Sequence, residues 1–230
     1  MNAQSRRKIE MGSRALEFSR AHPDTEPGTA ALTARLEQLL ARANQAATAQ
    51  RDGVINVRAA SARKEQLRRA MVLVPIPHLA EVGRAAAREE HELGKTFRFR
   101  PGASTYLAFR TAARSMAAAA VTHREVLVKY GLSQSVLDEF LRMLDQFDEA
   151  LALGNEGRTA HVGATRQLMT VSSEIHRTVR VMDGRNRQRF ADDAQLLGSW
   201  ISASTVLGNS RPNPEPEEET PGGGEVRPAA

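Results

Sequence analysis

The residues of this chain best suited to metal-assisted chemistry are its six histidines and the glutamates near them. A carboxylate-bridged di-iron centre needs a glutamate three residues before a histidine, so that both ligands lie on one face of a helix. No histidine here has that neighbour, because the residues three positions earlier are Ser19, Pro75, Arg88, Ala120, Arg158 and Ser173. A metal-dependent bundle enzyme is therefore the least favoured of three functions considered for the chain, after the two given at the end of this section.

The densest ligand-like group is Glu89-Glu90-His91-Glu92. On a helix predicted over 77–93, neighbouring residues point about 100° apart, so these four side chains cannot meet at one ion. Lys95 stands where the zinc-protease pattern has its second histidine. The chain has no cysteine, which excludes disulfides and thiolate chemistry. We expect no catalytic residues, no metal ligands and no cofactor.

Arginines are the remaining candidates for a binding site. Five of them crowd a predicted helix end and the turn after it: Arg177, Arg180, Arg185, Arg187 and Arg189. Guanidinium groups suit nucleic-acid phosphates or an acidic protein. Alternatively, these cations are solvated and complement the dipole at a helix C-terminus. A second basic run consists of Arg58, Arg63, Lys64, Arg68 and Arg69. Neither group is interleaved with aromatic residues for base stacking.

The elements that carry these residues are predicted to be helices. Aromatic residues make up 4% of the 230 residues, alanine is abundant, and no run of β-branched residues has the period of a strand. The formal net charge is +5, while the segment after Gly208 is acidic. No stretch approaches the roughly 20 apolar residues of a membrane-spanning helix, and no signal-like run begins the chain. We therefore expect a cytoplasmic protein.

The longest predicted element is a helix over about 29–74. Apolar or small residues hold the two core positions of a seven-residue repeat throughout, apart from Gln50 and Lys64. Thr29 is the predicted N-cap. Gly53 is the one weak point, and a break there is the alternative. The unchanged phase of the repeat on both sides favours one helix with a coiled-coil-like seam.

Shorter helices are predicted around this one. Their ranges are 3–21, 77–93, 104–130, 133–153, 156–183 and 191–206, with Gly94, Gly131 and Gly154 as C-terminal stops. The last helix carries Trp200 as its anchor. Short connections force neighbouring helices to be antiparallel. The prediction is an all-α, elongated antiparallel bundle of residues 1–207, built on the long helix and followed by a disordered tail over 208–230.

This pattern favours a non-enzymatic structural or protein-interaction role, with a second copy or another protein as the partner. The alternative function is nucleic-acid binding through the arginines of 177–189. The sequence leaves open whether any small molecule binds.

Overall fold

The computed structural model describes residues 1–99 and 105–208, and this part of the chain is helical, with no strand. Its helices are α1 (Ala3–Ala21), α2 (Pro27–Leu73), α3 (Pro75–Ala86), α4 (Leu93–Thr96), α5 (Tyr106–Thr122), α6 (Arg124–Lys129), α7 (Gln134–Arg189) and α8 (Ala194–Ser204). They pack as a bundle, which confirms the predicted fold class. Across the described ranges, no helix has the length and apolarity to cross a membrane. The predicted disordered tail, beyond Gly208, lies outside the described residues.

Helix α2 is the predicted long helix, and it is continuous. It begins at Pro27 because a proline, which lacks an N–H group, fits the first helical position. Thr29 was predicted to be the N-cap, but it lies buried in the first turn of the helix. Gly53 lies inside the helix, so the alternative of a break there is wrong. The buried residues largely follow the predicted repeat and include Leu36, Leu39, Ala43, Ala46, Ala60, Leu67 and Met71.

The two polar exceptions in the repeat of α2 contact other helices of their unit. Gln50 Nε2 donates a hydrogen bond to Thr165 Oγ1 on α7 at 2.7 Å. Lys64 Nζ lies 4.9 Å from the centre of the Tyr106 ring on α5. Both side chains are half-buried. A polar residue in such a repeat can fix the register of two helices, and the partner of Gln50 across the α2–α7 contact is Thr165.

Helix α7 replaces two predicted helices, 133–153 and 156–183, and their separation was wrong. A glycine ends a helix most readily by adopting a positive φ. Among the described residues only Gly131 does so, with φ 98°. Gly154 keeps a helical conformation, and the helix continues to Arg189.

The inward face of the second half of α7 was predicted only in part. The residues of 156–183 predicted to face inward are Val162, Leu168, Met169, Ile175, Val179 and Met182. Of these, Leu168, Ile175, Val179 and Met182 are buried. Val162 and Met169 are exposed, at 44% and 50%. Val162 follows the buried Gly157 by five residues, which places it about 140° around the helix from the packed face.

The middle helices differ from the prediction at their ends. The helix predicted over 77–93 is α3, which begins at Pro75 and ends at Ala86. Gly94 lies within the short helix α4, so it does not end a helix as predicted. The helix predicted over 104–130 divides at His123 into α5 and α6. Its observed N-cap is Thr105, whose side chain accepts a hydrogen bond from the backbone N–H of Ala108.

The chain divides into two compact units. The first contains Met1 and residues 41–171, and the second contains residues 2–40 with the described residues from Ser172 onward. Fully buried residues of the first core include Met71, Leu79, Phe97, Phe109, Leu127, Leu137, Phe140 and Phe147. Those of the second core include Met11, Leu36, Ile175 and Trp200. The assignment of residues 1–207 to a single domain stays a prediction.

The predicted anchor of the last helix is confirmed. Helix α8 begins after Asp193, whose carboxylate accepts hydrogen bonds from two backbone N–H groups of its first turn. Trp200 is fully buried. Its indole Nε1 donates to Asp183 Oδ1 at 2.9 Å, and its ring lies 5.4 Å from that of Phe18.

Candidate partner-binding groove

The structure separates the five predicted arginines into two groups. Arg185 forms an ion pair with Glu26 at the start of α2. Arg187 Nε donates to Asp183 Oδ2, one turn earlier on α7, at 2.8 Å. The positive charge of both side chains is therefore matched inside their own unit.

Arg189 belongs to the same group and supports the turn between α1 and α2. Its Nη1 and Nη2 donate to the carbonyl oxygens of His22, at 3.1 Å, and Pro23, at 2.8 Å. The guanidinium also lies 4.8 Å from the ring centre of Phe190. The last carbonyl oxygens of a helix have no hydrogen-bond donors within the helix, and the guanidinium group of an arginine can donate to them. Arg189 thus acts as a cap for the end of α1.

The other two arginines are exposed. Arg177 and Arg180 make no hydrogen bond or ion pair with another described residue. His176, in the turn before Arg180, has its pKa lowered by burial and then by the charges of Lys8 and Arg180. Arg177 and Arg180 are therefore the two members of the predicted basic cluster whose positive charge no other described residue pairs with.

Removal of the Arg189 side chain should weaken the second unit measurably. We expect Arg189→Ala to lower the free energy of unfolding by about 1 kcal/mol, because two carbonyls lose their donors. Arg177→Ala is the matched control and should change it by less than about 0.5 kcal/mol. Urea unfolding followed by Trp200 fluorescence measures both. Equal effects of the two substitutions would contradict a capping role for Arg189.

The second basic run is also largely engaged within its unit. Arg63 Nη2 donates to Gln146 Oε1 on α7 at 2.6 Å. Lys64 and Arg68 lie over aromatic rings of α5. Arg69 pairs with the glutamate one turn before it. These contacts use the cations to pack helices together, which leaves few of them for an anionic ligand.

The acidic cluster at 89–92 lies in a turn rather than on a helix. The prediction that these four residues lie on a helix was therefore wrong. Its one contact to a histidine joins Glu90 Oε2 to His123 Nδ1 at 3.0 Å. Within residues 1–99 and 105–208, no group of three His, Asp or Glu side chains is arranged to hold a metal ion.

Helices α2 and α7 come into backbone contact at two glycines. A Cβ added to Gly53 would lie 2.8 Å from the carbonyl oxygen of Gly157 and 2.9 Å from the backbone nitrogen of His161. A Cβ on Gly157 would lie 3.0 Å from the carbonyl oxygen of Gly53. The two backbones touch here, and only glycine allows this distance.

Little else is buried around this crossing. Gly53 is the only buried residue in the range 47–59 of α2, and Gly157 is the only one in 152–163 of α7. A hydrogen-bonding contact supplements the glycines, with His161 Nδ1 3.2 Å from the carbonyl oxygen of Gln50. The outer faces of both helices are therefore open to solvent along these turns.

Two clefts open between α2 and α7 on one face of the pair. The Leu73 cleft, of about 310 Å³, is lined by Ala70, Leu73, Val74, Pro75, Ser135, Val136, Glu139 and Met143. The Leu153 cleft, of about 680 Å³, is lined by Ala59, Ala60, Arg63, Gln146, Glu149, Ala150, Ala152, Leu153 and Glu156. The α7 residues at 139, 143, 146, 150 and 153 recur every three or four positions, so both clefts lie on the same side of α7. We call this surface the α2–α7 groove.

The Leu73 cleft is almost wholly apolar, and the Leu153 cleft is mostly apolar but also contains Arg63, Gln146, Glu149 and Glu156. Leu73 is 77% exposed and Leu153 is 43% exposed, so each cleft presents a large apolar side chain to solvent. The Arg63–Gln146 hydrogen bond crosses the groove toward the Leu73 cleft and joins the two helices. Apart from Val74 and Pro75, every residue that lines the two clefts belongs to α2 or α7.

The chain matches no protein-family model, no curated protein and no solved structure. The groove was not predicted, because 133–153 and 156–183 were expected to be separate helices. The signal available was the seven-residue spacing of Ala150, Gly157, Ala164 and Val171, which stays in phase across Gly154 and indicates one helix.

Proposed function

We propose that this chain is a non-enzymatic protein-interaction module that binds a helix of a partner protein in the α2–α7 groove. The observation that carries the proposal is the pair of exposed apolar clefts on one face of two packed helices. Large exposed apolar patches on soluble proteins mark interaction sites more often than isolated apolar residues do.

A helix is the partner element that this surface fits best. Two antiparallel helices leave a groove between them, and a third helix laid into it completes a bundle-like packing. Small residues such as Ala59 and Ala152 at the Leu153 cleft allow close approach. A cytoplasmic location is part of this proposal.

Nucleic-acid binding is the second candidate, and the exposed pair Arg177 and Arg180 favours it. The contacts of Arg185, Arg187 and Arg189 within the second unit weaken this candidate, because they leave fewer free cations for phosphate groups. Binding that falls steeply with salt and is lost in the Arg177→Ala/Arg180→Ala variant would support this candidate. Absence of DNA or RNA binding at low salt would remove it.

The absence of cysteine permits a direct test of the groove. A single cysteine at Ala59, which lines the Leu153 cleft, can carry an environment-sensitive fluorophore. Ala62 is the matched control, because it is also exposed on α2 but does not line the cleft. The probe is an amphipathic helical peptide with a leucine and alanine face and neutral glutamine flanks.

We expect the peptide to shift and intensify the emission of the label at Ala59, because docking excludes water from the cleft. The label at Ala62 should respond little. A saturable response at Ala59 supports the proposal. No response at Ala59 up to millimolar peptide, or equal responses at both positions, would contradict it.

A further inference from the structure

The rim of the α2–α7 groove carries unmatched negative charge. Glu149 and Glu156 both line the Leu153 cleft, and both are exposed. Neither makes a hydrogen bond or ion pair with any other residue in the described part of the chain. They are seven positions apart, two turns of α7, so they stand on the same edge of the groove.

The other two charged groups of the groove differ in whether their charge is matched. Glu139, in the Leu73 cleft, forms an ion pair with Arg142. Arg63 donates to the side-chain carbonyl oxygens of Gln66, at 3.0 Å, and Gln146. Both glutamines are neutral, so Arg63 keeps its positive charge on the α2 side. A ligand in the groove would therefore meet apolar surface along its centre, two free carboxylates along the α7 edge and one guanidinium group on the α2 side.

We infer that the partner of the groove is a basic amphipathic helix, with lysines or arginines along the flank that meets Glu149 and Glu156. This inference rests on the proposed function. Complementary charge at the edge of an interface steers association and selects the partner, while the apolar face contributes most of the affinity.

The spacing of the two clefts sets the spacing of the apolar anchors. Ala70 in the Leu73 cleft follows Ala59 in the Leu153 cleft by eleven residues on α2. At 1.5 Å per residue this corresponds to about 16 Å along the helix axis. A docked helix that runs along the groove therefore needs its large apolar residues ten or eleven positions apart.

A second copy of the chain fits the groove less well. A two-fold interface uses the same patch on both subunits. Such docking would bring Glu149 and Glu156 of both copies into one interface, where like charges repel. The charge of the rim therefore favours a different protein.

The experiment compares two labelled peptides of about 18 residues, five turns of helix. Both have leucines eleven positions apart on an alanine face, and their flanks carry lysine in one and glutamine in the other. Fluorescence anisotropy measures their affinity for the full chain and for the Glu149→Gln/Glu156→Gln variant. The control variant, Glu81→Gln/Glu125→Gln, makes the same change in net charge at exposed positions outside the groove.

We expect the lysine peptide to bind roughly fivefold more tightly than the glutamine peptide at low salt. The preference should disappear in Glu149→Gln/Glu156→Gln and persist in the control variant. It should also shrink at about 1 M salt, where charges are screened beyond roughly 3 Å.

Each other outcome overturns a defined part of the account. Equal binding of the two peptides overturns the basic-helix inference and leaves the helix-binding function intact. Binding of neither peptide overturns both. Equal loss of the preference in both variants shows general attraction to a charged surface and overturns the inference. Dimerisation of the chain that is reversed by the lysine peptide, measured by analytical ultracentrifugation, would show that a second copy occupies the groove, which also overturns it.

Discussion

Gly53→Ala should destabilise the first unit by about 2 kcal/mol, although alanine is the better helix former by about 1 kcal/mol. The new methyl group would lie 2.8 Å from the carbonyl oxygen of Gly157 and 2.9 Å from the backbone nitrogen of His161. Both are backbone atoms, so relief requires α2 and α7 to move apart. Urea unfolding followed by circular dichroism at the helix band measures the loss.

Gly163→Ala is the matched control for this prediction. Gly163 also lies within α7, and a Cβ there would meet nothing within 4 Å. We expect it to stabilise the chain by about 0.5–1 kcal/mol, because alanine loses less entropy in a helix. Changes of opposite sign in the free energy of unfolding at the two positions would show that the crossing needs glycine. A gain at Gly53 equal to that at Gly163 would refute the close packing of the two backbones.

Trp200→Ala should cost about 3–5 kcal/mol in the second unit. The side chain is fully buried, so its removal leaves a large cavity next to Phe18. Asp183 also loses the indole N–H that donates to it. Because the substitution removes the only tryptophan, circular dichroism must follow the unfolding.

Trp200→Phe separates the two contributions to this loss. It keeps most of the buried ring and removes the hydrogen bond to Asp183, so we expect a smaller loss, about 1–2 kcal/mol. Ile201→Ala, at an exposed neighbouring position of α8, should cost less than about 1 kcal/mol. If Trp200→Ala costs no more than Ile201→Ala, Trp200 does not anchor α8.

The parts of the fold predictable from the sequence are those with local periodic signals. The repeat through Leu36, Leu39, Ala43 and Ala46 predicts one long helix because the same positions must face a neighbour on every turn. The end of a helix at Gly131 was also predictable. The continuation of α7 through Gly154 was not, because whether a glycine adopts positive φ or lies inside a helix depends on the helix packed against it.

The candidate site was less predictable for the same reason. The arginines of 177–189 were visible as a cluster, but the carbonyls of the α1–α2 turn that bind Arg189 come from a distant part of the chain. The α2–α7 groove depends on which faces of two long helices the shorter helices leave open. Sequence periodicity marks a face as apolar, but it does not say what covers that face.

The most direct test of the helix-binding groove is methyl NMR of the full chain titrated with the lysine-flanked peptide. Exposed apolar residues outside the groove, Ile55 and Val162, provide the internal control. The account predicts saturable shifts at the methyl groups of Leu73, Met143 and Leu153, with little change at the two control residues. Shifts confined to Ile55 and Val162, or no shifts at any of these methyl groups, would contradict it.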